Sequence, residues 1–198
     1  MKRLSNSVLA GLPAGVRRPA YERGQVTAGI VHLGIGAFHR AHMAAYTDAI
    51  QASGDAQWGI CGTSLRSPDT RDALAPQDGL YTLAIRDGRG EQLHVIGSVV
   101  ALLVAPDDPR ALVDRMADAD CHIVSLTVTE KGYCHLPATG ELDETHPDIV
   151  HDLEFPETPR SAIGFIAQAL MRRRQAGVPP FTVLSCDNLP ANRQTARR

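Results

Sequence analysis

Short apolar runs alternate with amphipathic stretches through most of the chain. The run AGIVHLG ends in glycine, and the following segment AFHRAHMAAYTDAIQASG has apolar residues at mostly helical spacings before Gly54. This pattern predicts a strand, a glycine turn and a helix. The same criteria predict strands in QWGICGT, CHIVSLTVT and PFTVLSC, and helices in DDPRALVDRMADAD and PRSAIGFIAQALMRRRQAG. The predicted apolar face of the last helix consists of Ile163, Ile166, Ala167 and Leu170.

Three stretches interrupt this alternation. The segment LYTLAIRDGRGEQLHVIGSVV reads as two strands about the polar turn at 87–90, which predicts an antiparallel hairpin insertion. Residues 1–27 are rich in Pro, Gly and Arg and are predicted to form an extended arm. The polar segment 130–159 is too long for a simple connection, so we expect it to cover something.

Alternating strands and helices predict an α/β fold with a Rossmann-like, doubly wound, mostly parallel sheet and helices on both of its faces. The hairpin is then an antiparallel insertion into this fold. We therefore divide the chain into an N-terminal arm, 1–27, and a dinucleotide-binding domain, 28–198. In such sheets ligands bind at the carboxyl ends of the strands, so the candidate chemistry should lie there.

Composition and charge narrow the class of protein. The chain has 198 residues, of which 43% are hydrophobic and 21% charged, as is usual for a globular protein. A net charge of -2 and a pI near 6.4 argue against a nucleic-acid partner, and we interpret Arg172–Arg174 as the solvated end of a helix. No apolar stretch reaches the roughly 20 residues that span a bilayer, and the N-terminus lacks the apolar core of a secretory signal. We expect a cytoplasmic protein without a membrane partner.

Neither the cysteines nor the histidines suggest a metal site. Cys61, Cys121, Cys134 and Cys186 are widely spaced and form no C-x-x-C pair, which favours structural thiols. His39 and His42 have an i, i+3 spacing that suits a metal, but no third ligand of a suitable kind is close in the sequence. We expect no metal.

The first strand ends in a glycine-rich loop. Gly34 allows a tight turn, and Gly36 lets the backbone approach a pyrophosphate at the start of the following helix. His39 stands where dinucleotide-binding loops have a third glycine, so the helix must lie further off or turn the imidazole toward the ligand. Taken alone, this loop is either a nucleotide site or an ordinary glycine turn.

Polar residues also follow three later strands. In SLRSPD, Arg66 would suit the 2′-phosphate of NADP and Asp69 the ribose hydroxyl of NAD, so the cofactor preference stays open, as does a plain surface turn. Glu130 could move protons at the rim of a cleft or simply pair with Lys131. Asn188 could donate an amide N–H to a developing alkoxide or a carbonyl oxygen.

Four motifs together resemble one family. IVHLGIGAFHRAH, QDGLYTL, SLTVTEKGY and SCDNLPAN look like the polyol-specific long-chain dehydrogenases, which include mannitol 2-dehydrogenase and fructuronate reductase. In that family the glycine loop has histidine in place of the third glycine. The resemblance implies metal-independent, NAD(P)-dependent hydride transfer between a polyol or aldonate and the matching ketose or ketouronate.

The resemblance also assigns residues. Those implied to bind the cofactor are Gly34, Ile35, Gly36, Ala37, Phe38, His39 and Arg66. Glu130 matches the acidic residue near the active-site entrance, and Asn188 matches the asparagine that polarises the reacting oxygen. The substrate is accordingly expected to be a small polyol or sugar acid.

Two departures from the family bear on activity. The family continues into a helical domain that supplies the catalytic lysine, whereas this sequence ends at Arg198, and Asn192–Arg193 stands where the family usually has NG. We therefore expect a cofactor-binding half with little turnover, whose uncovered apolar surface favours self-association.

Two alternatives remain open. The chain could be a non-catalytic nucleotide-binding fragment, because the lysine acid/base is not in it. It could also be a methyltransferase that binds S-adenosylmethionine, since a glycine loop and an N-L-P sequence occur in that class. Methyltransferases of that class, however, have an acidic residue at the position of Leu33 and an aromatic residue at the position of Ala191, so both features are missing from this sequence.

Overall fold

A computed structural model describes residues 3–88, 90–136 and 138–188. Its strands are β1 (Val16–Arg17), β2 (Ile30–Leu33), β3 (Ile60–Ser64), β4 (Tyr81–Asp87), β5 (Gly90–Ile96), β6 (Val99–Val104), β7 (Ile123–Leu126) and β8 (Thr182–Ser185). Its α-helices are α1 (Ala37–Ala41), α2 (Met43–Ala52), α3 (Asp69–Leu74), α4 (Pro109–Ala117), α5 (Pro147–Glu154) and α6 (Ala162–Ala176). Short 3₁₀ turns occur at Asn6–Gly11, Arg23–Gln25, Ala75–Gln77 and Glu130–Tyr133.

The main sheet is parallel throughout and has the strand order β6-β3-β2-β7-β8. The central strand β2 pairs with both β3 and β7, so that Ile30 lies opposite Ile60 on one side and Ile123 on the other. The order of the strands along the chain therefore reverses next to β2. This is the doubly wound topology predicted from the sequence, and it opens a crevice at the carboxyl end of β2.

Both faces of the main sheet are covered, and for this reason all four residues of β2 are buried. Successive side chains of a strand point to opposite faces. Val31 and Leu33 pack in one core with residues of α4 and α6, such as Met116 and Phe165. Ile30 packs in a second core with Ala44 of α2 and residues next to the smaller sheet.

The smaller sheet has the order β1-β5-β4 and contains the predicted antiparallel hairpin, paired from Tyr81 opposite Ile96 to Asp87 opposite Gly90. Of the predicted turn, position 89 lies outside the described residues. Two 3₁₀ turns interrupt the 1–27 segment, which is therefore less extended than predicted. Its strand β1 pairs in parallel with β5 and so joins the segment to the smaller sheet.

The second hairpin strand was predicted too long. It ends at Ile96, and Val99 begins β6 in the main sheet. Two hydrogen bonds hold the corner between them: Gly97 N donates to Asp48 Oδ1 at 2.7 Å, and Ser98 Oγ donates to the Ala44 carbonyl at 2.7 Å. Gly97 and Ser98 separate the two apolar runs, but the prediction took them as part of one strand.

The helices follow the prediction with four exceptions. The helix after β2 breaks at His42, whose φ of -118° and ψ of -91° are not helical. Helix α3 was not predicted, and the 130–159 segment contains α5. In α6 the predicted stop is present at Gly177, and Ser161 caps the start of the helix. Of the predicted apolar face, Ile166 and Leu170 pack against the core, but Ala167 is exposed, and the fully buried apolar residues are Ala162, Phe165 and Ala169.

The interpretation of Arg172–Arg174 as a solvated helix end is wrong for its middle residue. Arg173 is 3% exposed, and its Nη1 donates to the carbonyl oxygens of Asp118 at 2.6 Å and Cys121 at 3.0 Å. Its guanidinium also lies 5.4 Å from the centre of the Phe181 ring. Arg173 thus satisfies the carbonyl groups of the turn that precedes β7.

All four cysteines are free thiols, and Cys186 alone among them is not fully buried. Within the described ranges, none of the helices is long and apolar enough to cross a membrane.

Candidate functional site

A cleft of about 1010 Å³ opens at the carboxyl ends of β2, β3, β6 and β7. This is the edge of the sheet where the strand order reverses, which is the usual ligand position in this topology. The volume is at the upper end of the range for small-molecule pockets. The 130–159 segment, which we expected to cover something, contributes Lys131, Gly132, His146, Asp148 and His151 to its lining.

The two loop glycines have different roles. Gly34 has a φ of +97°, and a Cβ atom added to it would lie 2.2 Å from the carbonyl oxygen of Thr127. The first glycine therefore permits close contact between the ends of β2 and β7. A Cβ added to Gly36 would meet nothing closer than the Gly34 carbonyl oxygen at 3.8 Å, and Gly36 lines the cleft. The second glycine thus leaves room for a ligand against the backbone.

Two buried histidines lie beneath this loop. The ring of His39 stacks on that of His32, with centroids 3.5 Å apart and planes 14° from parallel. Neither nitrogen of His39 has a hydrogen-bond partner among the described residues. Burial lowers the pKa of His39 to about 4, with a smaller contribution from Arg40. Near neutral pH this ring is therefore uncharged.

His32 ties β2 to β7. Its Nε2 lies 2.9 Å from Thr127 Oγ1, which itself donates to the Gly34 carbonyl at 2.7 Å, and its Nδ1 lies 2.8 Å from Ser125 Oγ. Since the threonine hydroxyl donates elsewhere, we assign Nε2 as the donor and Nδ1 as the acceptor from Ser125. Burial holds the pKa of His32 well below its ordinary value, which favours this neutral form. The sequence marked His32 only as part of a buried strand.

The structure separates the loop residues predicted to bind a cofactor. Gly34, Ile35 and Gly36 line the cleft. Ala37 and Phe38 are exposed outside the lining, and the Phe38 ring stacks on that of His42 at 5.2 Å. His39 points into the interior rather than toward the cleft, so its contact with the cleft is indirect, through His32 and Thr127.

Arg66 lies in the cleft lining, at the end of β3. Asp69, the other candidate for this corner, begins α3, and its Oδ2 accepts from Ser67 Oγ at 3.0 Å. Asp69 is not part of the lining. Of these two residues, the cationic one therefore belongs to the cleft lining.

Glu130 and Asn188 are exposed at the same edge of the sheet, and neither is in the cleft lining. The Glu130 carboxylate lies 3.8 Å from His135 Nε2. Its neighbour Lys131 lines the cleft instead. A ligand that bridges the cleft and this rim would be needed to bring both predicted catalytic residues into one site.

Asp187 joins the loops that hold these two residues. Its carboxylate accepts from Val128 N at 3.1 Å, from Thr129 N at 2.9 Å and from Tyr133 OH at 2.9 Å. Thr129 has a φ of +66°, which is costly for a residue other than glycine, and the bond to Asp187 holds it there. The strand-end position of Asp187 was visible in the sequence, but its role as the link between the β7 and β8 loops was not.

The His, Cys, Asp and Glu side chains at positions 3–88, 90–136 and 138–188 do not gather in groups of three or more that could hold a metal ion. The motif residues Leu189, Pro190, Ala191, Asn192 and Arg193 lie outside the described residues.

A family model described as the mannitol dehydrogenase Rossmann domain matches residues 28–198. The chain belongs to the mannitol dehydrogenase family. The resemblance drawn from the four sequence motifs is thereby confirmed.

Individual members of the mannitol dehydrogenase family are similar to this chain in sequence and in fold. The chain is 46% identical to a mannitol 2-dehydrogenase of Pyricularia oryzae over 204 residues, which cover 98% of this chain and 41% of that protein. A solved structure of Pseudomonas fluorescens mannitol 2-dehydrogenase, a ternary complex with NAD and D-mannitol, matches with a TM-score of 0.94 and 46% identity. A D-sorbitol dehydrogenase in substrate-free form matches with a TM-score of 0.92 and 36% identity.

Each of these two structures is matched over 99% of this chain and 41% of the solved chain. The sequence thus spans about 41% of the length of these mannitol dehydrogenase relatives.

Proposed function

We propose that this chain is the nicotinamide-nucleotide-binding part of a dehydrogenase that interconverts a polyol and its ketose. The observation that carries the proposal is the glycine loop, because Gly36 leaves open space beside a large cleft at the reversal of strand order. The relatives named as mannitol and sorbitol dehydrogenases support the polyol form of the reaction over the aldonate form.

The residues of the cleft fit a dinucleotide. The backbone at Gly34, Ile35 and Gly36 would hold the pyrophosphate, with Gly36 giving it room. When bound, the nicotinamide ring supplies the hydride acceptor or donor. His39 and Phe38, which lie outside the lining, would support the loop by packing rather than contact the nucleotide.

The substrate end of the cleft would lie near β7 and β8. Asn188 would donate an amide N–H to the reacting oxygen, and Glu130 would pass protons at the rim, with no metal ion involved. Asp187 supports this arrangement because it holds the loops of both residues together. Lys131 is not assigned as the acid/base, because it lies in the motif TEKGY rather than at the place of the family's lysine. The 198-residue chain alone should therefore show little turnover.

A nucleotide titration tests the proposal. The chain should bind NADH or NADPH saturably, as followed by nicotinamide fluorescence. Gly36→Val should weaken this binding at least about tenfold, since its side chain would occupy the ligand's space, while Gly15→Val, at an exposed glycine in open space, should not. The thermal unfolding of all three proteins should be similar. A folded chain that binds neither nucleotide would refute the proposal.

Three further expectations accompany it. We propose that 1–27 is an arm and 28–198 the nucleotide domain, and that the protein is cytoplasmic. Exposed apolar residues of β8 and α5 support self-association of the isolated chain. They are Val150, Leu153, Val183 and Leu184. Light scattering at several concentrations would measure that association.

A further inference from the structure

We propose that His32 is a positioning residue for the nucleotide, because its ring holds the peptide unit on which the glycine loop turns. The inference rests on the proposed function and adds to it a residue that would not touch the ligand. His32 is fully buried in β2 and is not in the cleft lining. Its effect on the cleft would pass through Thr127 and the carbonyl of Gly34, and both of these residues do line the cleft.

The peptide unit that joins Gly34 to Ile35 is held on both sides. Its N–H, which belongs to Ile35, donates to the Thr63 carbonyl of β3 at 3.1 Å. Its carbonyl oxygen, which belongs to Gly34, accepts from Thr127 Oγ1 at 2.7 Å and from Gly36 N at 2.6 Å. A peptide unit is planar and moves as one body. Loss of a bond on the carbonyl side would therefore let this plane rotate and displace Ile35 and Gly36, which line the cleft.

His32 orients the hydroxyl that makes this bond. Its Nε2 lies 2.9 Å from Thr127 Oγ1 and 3.3 Å from the Gly34 carbonyl oxygen. Since a carbonyl oxygen can only accept, the hydrogen of the neutral ring belongs on Nε2. Nδ1 then accepts from Ser125 Oγ at 2.8 Å, and Ser125 is also fully buried. Both ring nitrogens are thus bonded, and the Thr127 hydroxyl is left with its own hydrogen toward Gly34.

The ring of His32 is also held on one face. His39 stacks on it with centroids 3.5 Å apart, and neither nitrogen of His39 has a hydrogen-bond partner within the described ranges. The contribution of His39 is therefore its flat ring rather than its polar atoms. In the next strand Gly62 lies opposite His32, and a Cβ on Gly62 would lie 2.1 Å from Ile35 Cδ1. The glycine loop thus rests on a closely packed, buried support.

A purely structural role and a positioning role of His32 predict different measurements. In a purely structural role, the loss of one bond to the ring lowers the free energy of unfolding and leaves the nucleotide affinity of the folded protein unchanged. A positioning role predicts that the affinity falls as well. Both quantities should therefore be measured on the same variants.

The test is a titration of the 198-residue chain with NADH and with NADPH, followed by nicotinamide fluorescence. Ser125→Ala removes the bond at His32 Nδ1 without changing a residue of the cleft lining. It should raise the Kd for both nucleotides roughly 3- to 10-fold, the range for one hydrogen bond. Thr127→Val, which loses the hydroxyl, should do the same, and Thr127→Ser, which keeps it, should bind like the unchanged chain.

Ser98→Ala is the matched control. Ser98 is as fully buried as Ser125, and its Oγ donates to the Ala44 carbonyl at 2.7 Å, outside the cleft. Both serine variants should lose a similar free energy of unfolding in urea, since each loses one buried hydrogen bond. Only Ser125→Ala should weaken nucleotide binding.

A double variant tests whether Ser125 and Thr127 act through the same ring. Residues that share a partner show non-additive effects. Ser125→Ala combined with Thr127→Val should therefore weaken nucleotide binding no more than the stronger single change does. Additive effects would mean that Thr127 acts only by its own contact with the nucleotide, and would refute the positioning role.

Nitrogen NMR of the chain with labelled histidines gives an independent readout, because a ring nitrogen that carries a hydrogen is distinct from one that does not. The signals of His32, identified by their loss in His32→Gln, should show the hydrogen on Nε2 near neutral pH. A hydrogen on Nδ1 would refute the direction of these bonds and the positioning role with it.

The outcomes separate the two proposals. A folded Ser125→Ala variant that binds both nucleotides as tightly as the unchanged chain would refute the positioning role and leave the proposed function standing. Equal losses of affinity in Ser125→Ala and Ser98→Ala would also refute it. A folded, unchanged chain that binds neither NADH nor NADPH would refute the proposed function, and this inference with it.

Discussion

Replacing Gly34 by alanine should destabilise the fold itself, whereas the same change at Gly36 should affect only ligand binding. The added Cβ at Gly34 would lie 2.2 Å from the carbonyl oxygen and 2.9 Å from the carbonyl carbon of Thr127. Both atoms belong to the backbone beyond β7, so no side-chain rotation can relieve the contact. The two ends of β2 and β7 must move apart.

Two costs combine at this position. A positive φ costs a residue with a Cβ roughly 1–2 kcal/mol. Overpacking of a rigid interior site costs roughly 1–3 kcal/mol more. The separation of β2 from β7 would also strain the bond of 2.7 Å from Thr127 Oγ1 to the Gly34 carbonyl. Gly34→Ala should therefore lower the free energy of unfolding by roughly 2–5 kcal/mol, a large share of the total for a domain.

Urea unfolding followed by circular dichroism would measure this loss, with two matched glycines as controls. Gly177, at the end of α6, has a φ of +69° but open space around it, so Gly177→Ala reports the backbone cost alone. Gly36 has neither a positive φ nor a close neighbour, so Gly36→Ala should keep nearly full stability. It should instead bind nicotinamide nucleotide more weakly.

The order of the free energies of unfolding of the three variants tests whether β2 and β7 are in rigid contact at Gly34. If Gly34→Ala were no less stable than Gly177→Ala, the close approach of β2 and β7 would not be a rigid contact. The account of the first glycine would then be wrong.

Three further predictions concern the rest of the chain. Asp187→Asn should lower the free energy of unfolding, measured in urea, by roughly 1–3 kcal/mol, because the Asp187 carboxylate accepts from two backbone N–H groups and Tyr133 OH. An unchanged stability would show that Asp187 does not hold the loops after β7 and β8 together. The folded-state pKa of His39, about 4, lies below its ordinary value of 6.5. Between these two pH values the unfolded chain binds more protons than the folded chain. The free energy of unfolding should therefore fall as the pH drops from about 6.5 to about 4. That loss amounts to about 3 kcal/mol, and urea titrations across the window should show a flatter profile for His39→Phe. Burial raises the pKa of Cys61 to about 12, so a thiol reagent at pH 8 should label Cys186 well before Cys61. Peptide mass spectrometry would measure the labelling. Equal labelling of the two thiols would show that Cys61 is not buried.

The parts of the fold that depend on neighbouring residues could be predicted. The hairpin about the 87–90 turn, the start of α4 and the stop of α6 at Gly177 all have local signals in the sequence. Where only two small residues separate two apolar elements, as Gly97 and Ser98 do between Ile96 and Val99, periodicity did not separate the elements. The buried face of α6 was predicted only in part, since Ile166 and Leu170 pack against the core but Ala167 is exposed, because the face depends on which side of the helix meets the sheet.

For the candidate site, position along the sheet was more predictable than side-chain direction. Gly34, Gly36 and Arg66 were chosen as strand-end residues, and they line the cleft. His39 was chosen from the same loop, yet its ring turns inward onto His32. The sequence shows that a residue lies in a loop, but the direction of its side chain depends on partners elsewhere in the chain.

What the sequence by itself determined is the alternation of strands and helices, the glycine loop after β2 and the family to which the chain belongs. These follow from local patterns of a few residues. Only the tertiary structure decided that His32 bonds to Ser125, 93 residues away, and that Arg173 is buried against carbonyl oxygens more than 50 positions earlier. The same holds for the bonds from Asp187 to the β7 loop, 59 and 58 residues before it. Such contacts arise when strands distant in the chain become neighbours in the sheet, and no local pattern encodes which polar groups then meet.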